Sequence, residues 1–255
     1  MNPLTNSTPP PLSLQTSRRT SLTRHPDSGS RSLTAALASM GPLPSIALFI
    51  GLADDQRPVL LNLADPSPSP VLVAADAGAG KTRLLQTIAR ALELTHDPGR
   101  ARYVVLTEHP REWAAFEGSD NCEAVLAFHH ALTTGYLASA VQRTTDPRSS
   151  SLVLLIDGFE ALASDADLRG AAHELMHRTP PGLWPFITLN MTPAPDVAPF
   201  LAPFRFRLFG YIREAQSAAI LHRSTTLPAG TLQPPSQFAV WEADHWLPFW
   251  LPDLD

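Results

Sequence analysis

The chain has 255 residues, with 24 acidic and 19 basic side chains and a formal net charge of −5. That balance argues against a strongly basic nucleic-acid coat. No apolar run reaches the ~18 residues of a membrane span, so no integral membrane segment is expected. A single cysteine, Cys122, excludes an intrachain disulfide and suits a reducing, cytoplasmic compartment.

Residues 1–43 are rich in Ser, Thr and Pro and carry Arg18, Arg19, Arg24 and Arg31 against Asp27 alone. They read as a disordered tail. Residues 44–255 then form one domain with 15 basic and 23 acidic residues. The next elements are Ile46 to Ile50 and Val59 to Leu63, two short strands around Ala53-Asp54-Asp55-Gln56, a small N-terminal β-hairpin. Val71 to Ala74 reads as a short buried strand. Thr82 to Leu94 is a helix with Leu84, Leu85, Ile88, Ala91 and Leu92 on one face. Tyr103 to Thr107 is a strand, and a helix is expected over residues 122–141. Leu152 to Ile156 is a continuous apolar run, the pattern of a strand covered on both faces. Phe159 to Met176 reads as a helix, and Phe186 to Leu189 and Phe206 to Ile212 as further strands. This alternation predicts an α/β fold, a mostly parallel, doubly wound sheet with helices on both faces and a ligand at the carboxyl ends of its strands.

Between strand 71–74 and helix 82–94 runs Ala75-Asp76-Ala77-Gly78-Ala79-Gly80-Lys81-Thr82, followed by Arg83. It fits the phosphate-binding loop G-x-x-x-x-G-K-[ST], with Ala75 in place of the first Gly. Lys81 is the only lysine beside 18 arginines. A coding preference for Arg has spared the one position where a compact ammonium must reach phosphates from inside a tight loop. Loop and helix N–H groups would cradle phosphates, and the Thr82 hydroxyl would hold Mg²⁺. Asp157 ends the buried run, as the Walker B carboxylate does, and is a second Mg²⁺ candidate. The catalytic Glu that often follows such an Asp is Gly158 here. Glu160 or Glu108 is therefore left to orient the attacking water.

A competing motif is His173-Glu174-Leu175-Met176-His177, which matches the zinc-binding H-E-x-x-H. Thr179-Pro180-Pro181 ends that helix at once and no third ligand follows in pattern, so zinc is the lesser reading. Trp241, Trp246, Phe249 and Trp250 read as packing residues.

The order of these features resembles the FtsK/HerA-type P-loop motor ATPases, over roughly residues 46–251. Ile50-Gly51-Leu52 with Pro58 to Ala64 is similar to the family's leading hairpin. Thr107-Glu108-His109-Pro110 with Arg111 is similar to the end of its second strand. Leu189-Asn190-Met191-Thr192-Pro193 resembles its sensor strand, Arg207-Leu208-Phe209-Gly210 a late strand, and Gln237 to Val240 with Trp246 to Trp250 its final strand pair. The resemblance implies a RecA-like core, ATP and Mg²⁺ as cofactors, Asn190 as γ-phosphate sensor and Arg207 as an arginine acting across a subunit interface. It also implies duplex DNA as a partner and a homo-oligomeric ring or partner-dependent assembly. Three departures stand against it: Gly158, no DNA-reading winged helix after the core, and an acidic core. Arg111, Arg143 and Arg148 are the candidate DNA donors. The alternative is a nucleotide-dependent signalling or scaffold switch with little hydrolysis.

Overall fold

A computed structural model describes residues 32–44, 47–65, 69–142, 150–191, 202–214, 228–242 and 245–255. The architecture follows from strands too apolar to tolerate water on either face. β3 (Val71–Ala75), β6 (Ser151–Asp157) and β7 (Leu183–Asn190) are buried almost throughout. Leu72 and Ala74 enter one core layer, Val71 and Val73 the other, as the two-residue period of a strand requires. With β4 (Ala101–Thr107), β5 (Cys122–Ala127) and β8 (Phe206–Phe209), they make the parallel part of the sheet, ordered β8-β3-β7-β6-β4-β5.

The other part is antiparallel. β1 (Ala47–Ala53) and β2 (Pro58–Asn62) form the expected hairpin, and β9 (Gln237–Glu242) and β10 (His245–Trp250) a second one. The C-terminal pair inserts between β1 and β8, giving the full order β2-β1-β10-β9-β8-β3-β7-β6-β4-β5. Phe238 and Phe249 stack across that pair, 6.0 Å apart, and weld it into the core.

Helix α2 (Lys81–Thr95) covers one face through Leu84, Leu85, Ile88 and Leu92, all fully buried. Each such side chain contributes about 1.5–3 kcal/mol. Helices α3 (Leu132–Val141), α4 (Phe159–Ser164) and α5 (Ala166–His177) cover the other face.

Three elements differ from expectation. Residues 122–127 are a strand, and the helix begins only at Leu132. Tyr103↔Cys122 and Val105↔Val125 pairing outweighs the helix preference of Glu123, Ala124 and Leu126. The helix over 159–176 is two helices, because the Asp165 carboxylate caps α5 by accepting from the N–H groups of Asp167 and Leu168. Within the stretch read as a structureless tail, Leu33–Met40 forms α1. Its Leu33, Ala36 and Leu37 pack against Phe49, Leu52 and Ala91, an apolar face that supplies the burial the Ser/Pro-rich composition lacks. The Leu33 N–H donates to Asp253 O at 2.8 Å, so α1 is held by the far end of the chain. Residues 1–31 and Ile46 lie outside the described residues. Among those described, no helix is long and apolar enough to cross a membrane.

Candidate functional site

The site lies where β3, β6 and β7 end side by side. β3 runs into the loop Ala75–Gly80, whose tip, Ala77 and Gly78, is exposed. Gly78 and Gly80 have φ of 73° and 93°, a region glycine enters freely. Gly80 is required twice over, because a Cβ there would meet Pro235 O at 1.9 Å. Lys81 opens α2 and is buried. Its Nζ donates to Ala75 O at 3.1 Å and Asp76 O at 2.8 Å, so the ammonium lies inside the loop it belongs to. Burial pushes its pKa down, while the carboxylates of Glu160, Asp157 and Asp76 act to raise it.

The Thr82 hydroxyl donates to Asp157 Oδ2 at 2.7 Å, joining two groups 75 residues apart. The other oxygen, Asp157 Oδ1, accepts from the Thr188 hydroxyl at 3.0 Å, which itself accepts the Gly158 N–H at 2.8 Å. Thr188 is fully buried on β7 and holds the carboxylate in one orientation. Sequence reading missed it, although a lone hydroxyl inside Phe186-Ile187-Thr188-Leu189 was a visible signal.

Both acid candidates reach this edge. Glu160 accepts the backbone N–H of Asn190. Burial raises its pKa; that N–H and the Lys81 ammonium oppose the rise, and the Glu108 carboxylate adds to it. Glu108 follows β4, whose Thr107 pairs with Asp157. Its Oε2 stands 3.8 Å from where a Cβ at position 158 would be. Gly158 has φ of 122°, so an acid at 158 would be strained and Glu108 occupies the neighbouring space. Asn190 pairs with Ala75 in register, level with the start of the loop. Thr192, Arg143 and Arg148 lie outside the described residues.

Two sequence candidates lie apart from the loop of their own chain, which for Arg207 leaves the expected role across an interface untouched. Arg83 forms an ion pair with Asp253 and donates to Pro252 O at 3.3 Å, tying α2 to the C-terminal segment. Arg207 pairs with Leu72, three residues short of Ala75, and its Nε donates to Phe204 O at 3.2 Å. The histidine motif ends α5 in the open. His173 and His177 stack at 4.1 Å, Glu174 pairs with Arg178 at 3.3 Å, and among the described residues no group of three or more metal-binding side chains gathers.

The donor set fits a magnesium-bound nucleoside triphosphate. It offers an ammonium, a hydroxyl beside a carboxylate, two left-handed glycines and a helix N-terminus.

No family model matches the chain, and no curated protein does. Solved structures do. EssC (ATPases 2 and 3) from Geobacillus thermodenitrificans superposes with a TM-score of 0.67 at 11% identity, over 92% of this chain and 48% of that one. The cytoplasmic domain of the Thermomonospora curvata type VII secretion ATPase EccC gives 0.61 at 17%, over 83% and 29%. The pCW3 conjugation coupling protein TcpA, a monomer form with ATPγS, gives 0.61 at 14%, over 83% and 67%. The chain spans less than half the length of the EccC and EssC chains. The fold is a RecA-like α/β core, the fold of the EccC and EssC ATPase regions and of TcpA.

Proposed function

We propose that this chain binds ATP·Mg²⁺ and hydrolyses it slowly, coupled to movement of duplex DNA or a partner chain in an oligomeric, ring-like or partner-dependent assembly. One observation carries the reading. The only lysine, the Thr82 hydroxyl and the Asp157 carboxylate converge where the parallel strands end. Lys81 serves the β- and γ-phosphates, with Gly78, Gly80 and the loop N–H groups around them. Thr82 and Asp157 hold Mg²⁺, and Thr188 orients Asp157. Bound Mg²⁺ supplies positive charge against the phosphate oxygens. Glu108, beside Gly158, is the group that orients water, while Glu160 fixes the end of β7 at Asn190. The ATPγS in the TcpA structure supports the choice of ligand. The register of β8 lends no support to a role for Arg207 at the loop of its own chain.

The second reading, a nucleotide switch without translocation, is favoured by Gly158, since no acid follows Asp157 directly. One set of measurements separates the two. Calorimetry should show ATP binding that needs Mg²⁺, lost in Lys81→Ala and weakened in Asp157→Asn. Turnover is then measured with and without duplex DNA, in Glu108→Gln and Glu160→Gln. Stimulation by DNA that Glu108→Gln removes supports the motor. Binding without stimulated turnover supports the switch. Wild-type ATP affinity in Lys81→Ala would falsify both.

A further inference from the structure

We propose that Arg213, not Arg207, is the arginine that contacts the phosphates of nucleotide bound in the same chain; this rests on the ATP-site reading above. The two arginines lie at opposite ends of one path. β8 runs parallel to β3 with Leu72↔Arg207 and Ala74↔Phe209 in register. Arg207 is therefore three residues below Ala75, roughly 10 Å back from the loop at ~3.3 Å per residue. Its Nε donates to Phe204 O, so it is anchored to a residue still further back along the chain.

Beyond β8 the chain stays pressed to the loop. The Gly210 N–H donates to Ala74 O at 3.0 Å. A Cβ at Gly210 would meet both Ala75 Cβ and Phe238 Cε1 at 2.9 Å, so glycine is what permits the approach. The Asp76 N–H donates to Tyr211 O at 2.9 Å, and the Arg213 N–H donates to Asp76 Oδ2 at 2.9 Å. Two successive contacts thus pin residues 211–213 to the second position of the loop.

The charge pattern gives the latch a chemical sense. Asp76 puts a carboxylate into a loop built to receive anions, and such a charge opposes phosphate binding. The Arg213 N–H holds that carboxylate in a hydrogen bond, and residue 213 is exposed. A guanidinium there presents a planar fork that matches phosphate oxygens in pairs, whereas Lys81 acts as a point charge from within. Lys81 is reached from the core and Arg213 from the rim, so the phosphates would be held from two sides.

The test is calorimetric titration of the full chain with Mg·ATP and Mg·ADP in wild type, Arg213→Ala, Arg213→Lys and Arg207→Ala. Every substitution at 213 keeps the backbone donor to Asp76, so the side chain alone is probed. Melting curves establish that each variant is folded. Arg213→Ala should weaken Mg·ATP about tenfold or more. Arg213→Lys should recover part of the loss, and Arg207→Ala should bind as wild type does. Undiminished Mg·ATP affinity in Arg213→Ala overturns the assignment, as does a loss confined to Arg207→Ala. If wild type itself binds no nucleotide, the ATP-site reading falls first and Arg213 with it.

Discussion

Lys81 and Glu160 show how burial and charge set each other at this site. The ammonium is pushed toward neutrality by desolvation and held charged by three carboxylates, Glu160 foremost. Glu160 is pushed toward its protonated form by the same desolvation and by Glu108. A carboxyl whose folded-state pKa lies above its unfolded value, about 4.3, binds more protons in the folded chain. Its stabilising contribution is complete below that unfolded value and is lost as pH rises through the folded one. Glu160→Gln should therefore remove part of the decline in stability across that window. Urea midpoints measured on both proteins at several pH values above about 4 check this. Parallel pH dependence would show that Glu160 does not carry the effect.

At the scale of elements, the loop is supported from both ends of the chain. Arg83 in the first turn of α2 holds Asp253 and Pro252, and Asp253 accepts the first N–H of α1. Pro235 closes on Gly80 from the turn before β9. Helix α1 docks through Leu33, Ala36 and Leu37, and Leu33 is fully buried. Leu33→Ala should cost about 2–5 kcal/mol if α1 unfolds only with the core. The Leu33 side chain packs in a cluster with Phe49, Leu52 and Ala91 that contains no loop residue, and the substitution keeps the backbone N–H that binds Asp253, so ATP affinity of the folded variant should be unchanged. Denaturant unfolding gives the cost. A loss well under 1 kcal/mol would mean that α1 undocks by itself.

At the scale of the whole molecule, ligand binding and folding are one equilibrium. The groups that would hold the nucleotide come from β3, α2, β6, β7 and the segment after β8, and no partly folded chain brings them together. Mg·ATP at a hundred times its dissociation constant should therefore stabilise the fold by about 2.7 kcal/mol. Thermal unfolding with and without Mg·ATP measures this, and Lys81→Ala should abolish the shift. His173→Ala should keep it, because the histidine pair sits at the exposed end of α5. A shift that survives Lys81→Ala would place the ligand elsewhere.

What the sequence determined by itself is local chemistry and its immediate frame. The loop was legible because glycines at 78 and 80, the only lysine and a following amphipathic helix are short-range facts. Asp157 was legible as a candidate because it ends a strand buried on both faces and the phosphate-loop motif is present in the same chain. The strand at Cys122–Ala127 was not legible, since its stability comes from β4 rather than from its own residues. Nor was the break at Asp165, a capping choice among several polar residues. Only the tertiary structure decided which distant groups serve the loop. The Thr188 hydroxyl reaches Asp157, Glu108 of the two acid candidates stands beside Gly158, and the Arg213 N–H reaches Asp76. The reason is strand register: a shift of one residue along a parallel strand moves a side chain ~3.3 Å and to the opposite face, and no local pattern in the sequence encodes it.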